Sequence, residues 1–593
     1  MDVEELFKKT KRNIEEDSTQ DSVSKKLKID KPITNEINDN EELKILEYIN
    51  NGKDDSKYTG ITKLTKKNLN DTLDETANLI SINLEERSKF INKPKSYFNS
   101  EFQLFNNLKN LSDLIVLFDD VKSLSDYENY LKFFINHNTT VEILNLLVNH
   151  PNHDISYQVL VFFNELVEKE DDLVDDEDEE DSNDIDKESR NNVKSECFRH
   201  LFFKKCNILN LLNHFIQSVS NYKDKFGNSY SNLTEMITLA LNFLINLNDY
   251  SDIQVDQFFI TAGNIELINW LIESNLSKFQ IKNFSSINQY SIEFFSDILI
   301  KNEENFNKLD NILINHGGID IIEIILKILS KFKKINFKTS EIEIKEFYNN
   351  LINLINYLLI SNFKFLDSFI LNEGLQLILI TIELNSLNLN TFQLKSNLKI
   401  LNNCFNFSKL NRKISKIIIN DSGLKIIFNL INNNKIKLTH GGNNSDSIKF
   451  YCFNLINNFL IHLSTDDNER IRLIHKLINK DFKNLNKIIS LKLKLLKSIE
   501  ESEENENPEP EHEDALVELV NANFNINSII LWVIIDEQVL ETYPKEQVIK
   551  LLASHDLQVQ DIVTEVEDNA DLLPSNRKSV FLDLVEIATQ NYY

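Results

Sequence analysis

Apolar residues recur along the centre of the chain in six short stretches that share one spacing. The stretches read TVEILNLLV, NILNLLNHF, NIELINWLI, GIDIIEIIL, GLQLILITI and GLKIIFNLI, and they begin at Thr140, Asn207, Asn264, Gly318, Gly374 and Gly423. Counted from the first apolar residue of each stretch, the third and the seventh following positions are apolar in every copy. Residues at this spacing lie on one face of an α-helix. The pattern therefore predicts six similar helices, each with one buried stripe.

The predicted stripe consists of two residues from each copy. The third positions are Leu144, Leu211, Ile268, Ile322, Ile378 and Ile427, and the seventh positions are Val148, Phe215, Ile272, Leu326, Ile382 and Ile431. The copies begin 49 to 67 residues apart. These intervals exceed the ~40 to 47 residues of a minimal armadillo or HEAT unit, so several units are expected to have enlarged loops.

A second pattern precedes several copies and consists of a helix, a polar break and another helix. It reads ILIKNEENFNKLDNILINHGG, YLLISNFKFLDSFILNEG and NFSKLNRKISKIIINDSG. Together with the following copy, each makes a three-helix unit, in which a glycine or small residue before the third helix permits a tight turn. The expected fold class is all-α, an armadillo/HEAT-type α-solenoid whose third helices form the inner surface.

Composition divides the rest of the chain around this array. From Glu168 to Asp181, eleven of fourteen residues are acidic, and like charges at that density repel one another and stay solvated. The predicted divisions are a disordered tail at 1–40, a helical N-terminal cap at 41–111, armadillo-type repeats at 112–499 with a disordered acidic loop at 168–190, an acidic linker at 500–514, and a C-terminal helical segment at 515–593.

The charge balance points to protein partners that are basic. The formal net charge is -28, so nucleic acid would meet a repulsive field over most of the surface, and no direct binding of nucleic acid is expected. The four cysteines, Cys197, Cys206, Cys404 and Cys452, lack metal-ligand or disulfide spacing and are expected to be small core residues. No signal peptide or membrane span is predicted.

The sequence predicts no catalytic motif. With 10 glycines there is little material for a phosphate-binding loop, and no metalloprotease, hydrolase or kinase pattern is present. His150 and His153 have a spacing that zinc could use, but no cysteine or further histidine follows at ligand spacing, so a loop pair without metal is favoured. We therefore expect neither enzymatic activity nor a cofactor.

The N-terminal tail contains two basic clusters separated by a polar stretch. They consist of Lys8, Lys9, Lys11 and Arg12, and of Lys25, Lys26 and Lys28. This arrangement resembles a bipartite nuclear localisation signal, in which a flexible linker lets both clusters reach an import receptor. The alternative is a solvated tail that happens to contain lysines, and in an acidic protein the signal is the favoured reading. The predicted location is the nucleus.

Four segments resemble one known family. The opening MDVEEL with its following TKR, the stretch KPKSYFNSEFQLFNNLKNLSDL from Lys93 to Leu114, the stretch NHPNHDISYQVLVFFNELVEKED, and NEGLQLILITIE resemble the beta-catenin-like protein 1 family. The resemblance implies a nuclear armadillo protein that is associated with the spliceosome. It further implies association with the nineteen complex, capture of basic segments of other splicing factors, and no enzymatic activity.

Acidic residues on the predicted third helices are candidates for binding such basic segments. They fall one or eight positions after the first apolar residue, outside the buried stripe, and are Glu142, Glu266, Glu273, Asp320 and Glu383. Acidic residues near a helix start also favour its dipole and can simply face solvent, and this alternative stays open for each of them. The alternative function is an armadillo adaptor in nuclear transport or in cell adhesion and signalling. The single Trp270 cannot form the tryptophan ladder of import adaptors, and self-association is left open.

Overall fold

In the computed structural model the chain forms two compact units, residues 1–268 and 269–593. The structure describes residues 64–168, 187–219, 231–248, 271–301, 320–436, 447–503, 510–539, 545–570 and 575–592, with short gaps inside several of these ranges. Every regular element among these residues is helical. The basic clusters of the tail and most of the acidic loop lie outside the described residues.

The described residues between 208 and 219 are helical, and seven further α-helices of the first unit have defined bounds. They are α1 (Lys66–Lys89), α2 (Phe98–Val116), α3 (Leu124–Asn136), α4 (Asn138–Asn149), α5 (His153–Val167), α6 (Lys187–Phe198) and α7 (Ser231–Asn248). A π-helical segment at Arg199–Lys205 continues α6. Neighbours along the chain pack together, with α1 against α2 and α4, α2 against α5, and α5 against α7.

The second unit contains fourteen α-helices among its described residues. They are α8 (Ser286–Lys301), α9 (Ile321–Phe332), α10 (Ile342–Ser361), α11 (Phe363–Leu371), α12 (Gly374–Asn388), α13 (Thr391–Asn403), α14 (Ser408–Asn420), α15 (Gly423–Asn432), α16 (Ser447–His462), α17 (Asn468–Glu503), α18 (Pro510–Ile535), α19 (Lys545–Ala553), α20 (Val559–Ala570) and α21 (Ser575–Tyr592). A π-helical turn at Leu271–Leu276 precedes them.

Two complete three-helix units follow one another in this part of the chain. The helices α10, α11 and α12 form one unit and α13, α14 and α15 form the next, and the first helices α10 and α13 pack against each other. The third helices α12 and α15 also contact each other. This repetition of first on first and third on third helices confirms the predicted armadillo-type α-solenoid.

The predicted apolar stripe is buried at most of its described positions. Leu144, Ile322, Ile378 and Ile427 are all at most 1% exposed, and the corresponding seventh positions from Phe215 to Ile431 are buried as well. Val148 is the exception, since it is 42% exposed, and Leu211 is only partly buried. The buried face of α4 is centred on Ile143 and Leu147, so Val148 falls at its solvent edge. The prediction was wrong there, and Ile268 lies outside the described residues.

In the turns between second and third helices, one residue has a left-handed backbone and the next is a closely packed glycine. Glu373 and Ser422 take the left-handed conformation, with φ of 59° and 70°. The glycines that follow them are needed for close packing, because a Cβ on Gly374 would lie 2.5 Å from the Phe369 ring and a Cβ on Gly423 2.5 Å from the Ile418 carbonyl oxygen. The predicted tight turn is present, and its glycine serves to bring the two helices together.

Several helices run through or into the predicted segment boundaries. α2 continues without a break past residue 111, and α6 begins at Lys187 within the segment predicted as an acidic loop. α17 reaches Glu503 and α18 begins at Pro510, so the predicted linker at 500–514 is partly helical. Charged residues can extend a helix wherever one face remains in solvent, which is why composition alone placed these ends a few residues away.

The C-terminal helices pack on the last repeat. α18 lies against both α16 and α17, and α20 and α21 pack on α18. α17 bends where Lys480, Asp481 and Phe482 take left-handed backbone angles, with φ of 56°, 53° and 60°. The predicted C-terminal helical segment is thus part of the same packed unit as the repeats.

No single described helix is long and apolar enough to cross a membrane. The helices α10 and α11 pass the length and composition test only as a pair, and they are bent by 115°. Most of the apolar residues in this pair are buried.

Candidate protein-interaction surface

The five acidic candidates fall in different environments. Glu142 is exposed on α4, and Glu383 is exposed on α12. Asp320 is the residue before α9 and is partly buried. Glu273 belongs to the π-helical turn but its side chain lies outside the described part of the structure, as does the whole of Glu266.

The Asp320 carboxylate holds two helices together. Its Oδ1 accepts hydrogen bonds from the backbone N–H of Ile322 at 2.9 Å and of Glu323 at 3.3 Å, which caps α9. Its Oδ2 accepts from Ser368 Oγ at 2.7 Å and from Asn372 Nδ2 at 2.9 Å, which joins α9 to α11 and its end. This carboxylate therefore has a structural role, and reversing its charge would remove a cap as well as a negative surface charge.

Two other acidic residues on third helices of the second unit form ion pairs with lysines. Glu383 Oε1 lies 3.1 Å from Lys425 Nζ, which pairs α12 with α15. On α9, Glu323 Oε1 lies 2.6 Å from Lys327 Nζ. All four side chains are at least 48% exposed, so these ion pairs add little stability, but they lower the local negative charge.

The first unit presents acidic residues with less compensation. Glu142 is exposed and has no ion pair among the described residues. The neighbouring α1, which packs on α4, exposes Asp71, Asp74 and Glu75. Asp74 Oδ1 lies 3.5 Å from His137 Nε2, immediately before the start of α4. We refer to the exposed carboxylates of these two helices, which include Asp74 and Glu142, as the acidic side of α1 and α4.

The third helix α12 has two exposed apolar side chains on a face that also carries two polar ones, and its sequence pattern did not separate this face from the buried one. Gln376, Ile380, Glu383 and Leu387 follow one another at steps of four, three and four residues and share one face. Ile380 is 49% exposed and Leu387 78% exposed. The sequence GLQLILITIELNSLN is apolar around most of the helix, which is the signal that could have indicated a second, unpaired apolar face.

A basic cleft adjoins the start of this face. It has a volume of about 810 Å³ and is lined by Gln376, Lys409, Arg412, Lys413, Lys416, Ile417, Asn420 and Asp421. All but Gln376 come from α14 and the residue after it. Because Gln376 belongs to both features, the cleft and the exposed face of α12 are continuous. Sequence reasoning overlooked the cleft because its lysines follow an ordinary helical polar face.

The charges of the cleft are partly neutralised from its far side. Arg412 donates two hydrogen bonds to the Asp467 carboxylate, at 3.0 and 2.8 Å, and Lys416 Nζ lies 2.6 Å from the same carboxylate. The hydrogen bond from Arg412 is the main reason that the pKa of Asp467 falls well below its usual range. Lys413 Nζ lies 4.0 Å from Asp367, whereas the exposed Lys409 makes no ion pair to any described residue.

The histidine pair of the HPNH stretch does not form a metal site among the described residues. His150 is 5% exposed, and its Nε2 lies 3.1 Å from Asn83 Oδ1 while its Nδ1 accepts from the backbone N–H of Asn152 at 3.2 Å. Burial, together with the nearby Arg87, lowers the pKa of His150 to about 4. No group of three potential ligands occurs in the described part of the chain. His150 is a buried neutral side chain that joins α1 to the turn before α5.

The four cysteines are all buried and unpaired, as their scattered positions predict. Burial raises the pKa of the Cys197 thiol to about 11 and that of Cys206 to about 12. It also raises the pKa of Cys404 and Cys452. Thiols with such raised pKa values are poor nucleophiles, so these are core side chains.

Comparison with known families identifies the array. The model of the family described as catenin-beta-like, Arm-motif containing nuclear matches residues 43–567. The chain belongs to the catenin-beta-like family. It is therefore a nuclear armadillo-repeat protein. The match confirms the family resemblance, the fold class and the predicted location. The match covers the repeats and most of the C-terminal helices.

Solved structures with a similar chain path have low sequence identity. SYS-1 in complex with POP-1 is 13% identical, with 88% of this chain and 84% of that chain covered and a TM-score of 0.42. SYS-1 alone is 12% identical, with 88% and 85% covered and a TM-score of 0.43. A structure from a study of the cadherin–beta-catenin interaction is 10% identical, with 84% and 97% covered and a TM-score of 0.40. A search of curated proteins found no match.

Proposed function

We propose that this catenin-beta-like protein is a non-enzymatic nuclear scaffold of the pre-mRNA splicing machinery. Its partners would be splicing factors, in particular those of the nineteen complex, which present Lys/Arg-rich segments. An import receptor would bind the basic clusters of its N-terminal tail. Family membership supports a nuclear armadillo protein. The splicing role and the basic ligand are proposed here in addition.

The acidic side of α1 and α4 is the observation that carries the proposed ligand class. Asp74 and Glu142 are exposed on two helices that pack together, and Glu142 has no cation beside it among the described residues. The whole chain has a net charge of -28, which adds a long-range attraction for cationic segments. An extended basic segment could place a lysine or arginine near each carboxylate without displacing an existing ion pair of Glu142.

Purification of the tagged full-length protein from nuclear extract, followed by mass spectrometry, tests the partner class. We expect splicing factors to be enriched over a tagged control of similar size and charge. Enrichment of transport receptors or adhesion components without splicing factors would instead favour the adaptor function. The same purification with Asp74→Lys and Glu142→Lys should lose the partners that carry Lys/Arg-rich segments and keep the import receptor, which depends on the tail.

A further inference from the structure

The basic cleft of α14 and the exposed face of α12 form one surface that differs from the acidic side of the first unit. The cleft carries Lys409 and Lys413, which are exposed, and the face of α12 carries Ile380 and Leu387. Gln376 lines the cleft and begins the exposed face. We refer to these five residues together as the α12–α14 surface.

We propose that the α12–α14 surface binds an amphipathic segment of a protein partner that is acidic at one end and carries leucine or isoleucine at helical spacing at the other. The acidic end lies in the basic cleft, and the apolar side chains cover Ile380 and Leu387. This ligand is opposite in charge to the basic segments proposed for the first unit, so the inference does not rest on that function.

Charge complementarity selects the acidic end. Within the cleft, Arg412 and Lys416 are already bonded to Asp467, which fixes their positions. Lys409 has no ion pair to a described residue. Lys413 Nζ lies 4.0 Å from Asp367 Oδ1, which is too long for a hydrogen bond. The two cations that remain available project from one face of α14, four residues apart, and can each meet a carboxylate of the ligand.

The length of the exposed row on α12 favours a peptide over a small anion. The row from Gln376 to Leu387 covers twelve residues of α12, and its ends lie ~16 Å apart at the helical rise. A helix of three turns matches that length, and its apolar face would remove two exposed apolar side chains from water.

Fluorescence anisotropy with a labelled synthetic peptide tests the proposal. The probe has Glu and Asp in one half and Leu at helical spacing in the other, and it is titrated with the full chain. We expect saturable binding, and a loss of about tenfold for the double variant Lys409→Glu, Lys413→Glu. The variant Ile380→Ser, Leu387→Ser should lose a similar factor through the apolar half. A probe with Gln in place of Glu and Asp should bind wild type weakly.

A matched control has the same change in charge outside the surface. Lys399 and Lys435 are exposed in the same unit and do not line the cleft, so Lys399→Glu, Lys435→Glu should bind the probe as wild type does. Equal affinity of wild type and of both surface variants would overturn the proposal.

The same protein and probe distinguish two other occupants of this surface. If replacing Glu168–Asp181 with a Gly/Ser linker increases the affinity for the probe, the chain's own acidic run occupies the cleft and the proposed partner is wrong. If sedimentation shows a dimer that Ile380→Ser, Leu387→Ser dissociates, the apolar face is a contact between copies, which also overturns it. A monomer whose affinity is unchanged by the linker supports a separate partner.

Discussion

The Lys492 ammonium lies 2.7 Å from the Glu565 carboxylate and joins the last repeat to the C-terminal helices. Lys492 is on α17 with a fully buried side chain, and Glu565 is on α20. Asn523 and Asn527 of α18 donate hydrogen bonds to the same carboxylate oxygen, at 3.0 and 2.6 Å. Three helices therefore meet at one oxygen atom, and the buried cation depends on it for charge compensation.

Glu565→Ala should lower the free energy of unfolding of the second unit by about 2 to 3 kcal/mol, because it leaves the Lys492 charge buried without a partner. Thermal and urea denaturation of the full chain measure this. Glu567 is exposed on the same helix, and Glu567→Ala should change stability by less than about 0.5 kcal/mol. If the two variants melt alike, the carboxylate does not hold the C-terminal helices in place.

Substitutions of the two adjacent residues in the turn before α15 should have opposite effects on stability. Gly423→Ala should destabilise by about 1 to 3 kcal/mol, because the new Cβ would press on the Ile418 backbone oxygen, which cannot move independently of α14. Ser422→Gly should be neutral or stabilise by up to about 1 kcal/mol, because Ser422 has a φ of 70°. Gly374→Ala should cost less than Gly423→Ala, since the clash there involves only the Phe369 ring. Denaturation curves give the order, and equal costs for the two glycines would contradict it.

Acid should destabilise the first unit through His150. Its pKa in the folded chain, about 4, is below its ordinary value of 6.5, so the unfolded chain binds more protons between these values. Stability contributed by the neutral ring is present above pH 6.5 and is lost as the pH falls towards 4, at most about 3 kcal/mol. Hydrogen exchange of α4 and α5 from pH 7 to 4 measures the opening of this region.

Two histidine-to-glutamine variants, at His150 and at the nearby His153, test the origin of this pH effect. His150→Gln should reduce the acid sensitivity of α4 and α5, because glutamine does not acquire a charge in this range. His153→Gln should keep the sensitivity of wild type, since His153 is less buried. Identical pH profiles for wild type and His150→Gln would show that other groups cause the effect.

Nuclear entry should depend on the two basic clusters of the tail. A fluorescent fusion with Lys11, Arg12, Lys25, Lys26 and Lys28 changed to alanine should remain largely in the cytoplasm, because both clusters are needed to reach the two pockets of an import receptor. The matched control changes five exposed lysines of the folded part and should still accumulate in the nucleus. Unchanged accumulation of the tail variant would mean that the signal lies elsewhere or that a partner carries the protein in.

Hydrophobic periodicity was sufficient to predict α4, α9, α12 and α15 and most of their buried stripe, because an amphipathic helix shows its core face in the sequence. It could not place Val148, since residues at the edge of the stripe are buried or exposed according to how neighbouring helices pack. Nor could it distinguish the two apolar faces of α12, where Ile382 is buried and Ile380 is exposed. Both assignments depend on tertiary contacts that local spacing does not contain.

The acidic candidates show a second limit of sequence reasoning. The position of Asp320 at the start of α9 fits both a surface site and a helix cap, and only its bonds to Ser368 and Asn372 distinguish them. Likewise, Lys425 follows Glu383 by 42 residues, a separation at which no sequence rule pairs charges. The long-range contacts determine which carboxylates are available to a ligand.

These differences determine how binding of a basic peptide should respond to charge reversal. Asp74→Lys, Glu142→Lys should weaken binding by about tenfold or more, because it replaces two attractive contacts with two repulsive ones. Asp113→Lys, Asp120→Lys makes the same change in net charge at other exposed positions of the first unit and should have a smaller effect. Asp320→Lys is unsuitable for this test, because losing the cap of α9 and its bonds to α11 would mix unfolding with binding.

The salt dependence separates a local contact from the field of the whole chain. The Debye length falls from ~10 Å at 0.1 M to ~3 Å at 1 M, so the attraction due to distant acidic residues should disappear first. At low salt both double variants should bind less well than wild type, and at higher salt only the difference between wild type and Asp74→Lys, Glu142→Lys should remain. Titration of a Lys/Arg-rich peptide from a copurifying factor at the two salt concentrations measures this. If the two double variants lose affinity equally at every salt concentration, net charge alone accounts for binding, and the acidic side of α1 and α4 is only a solvated surface.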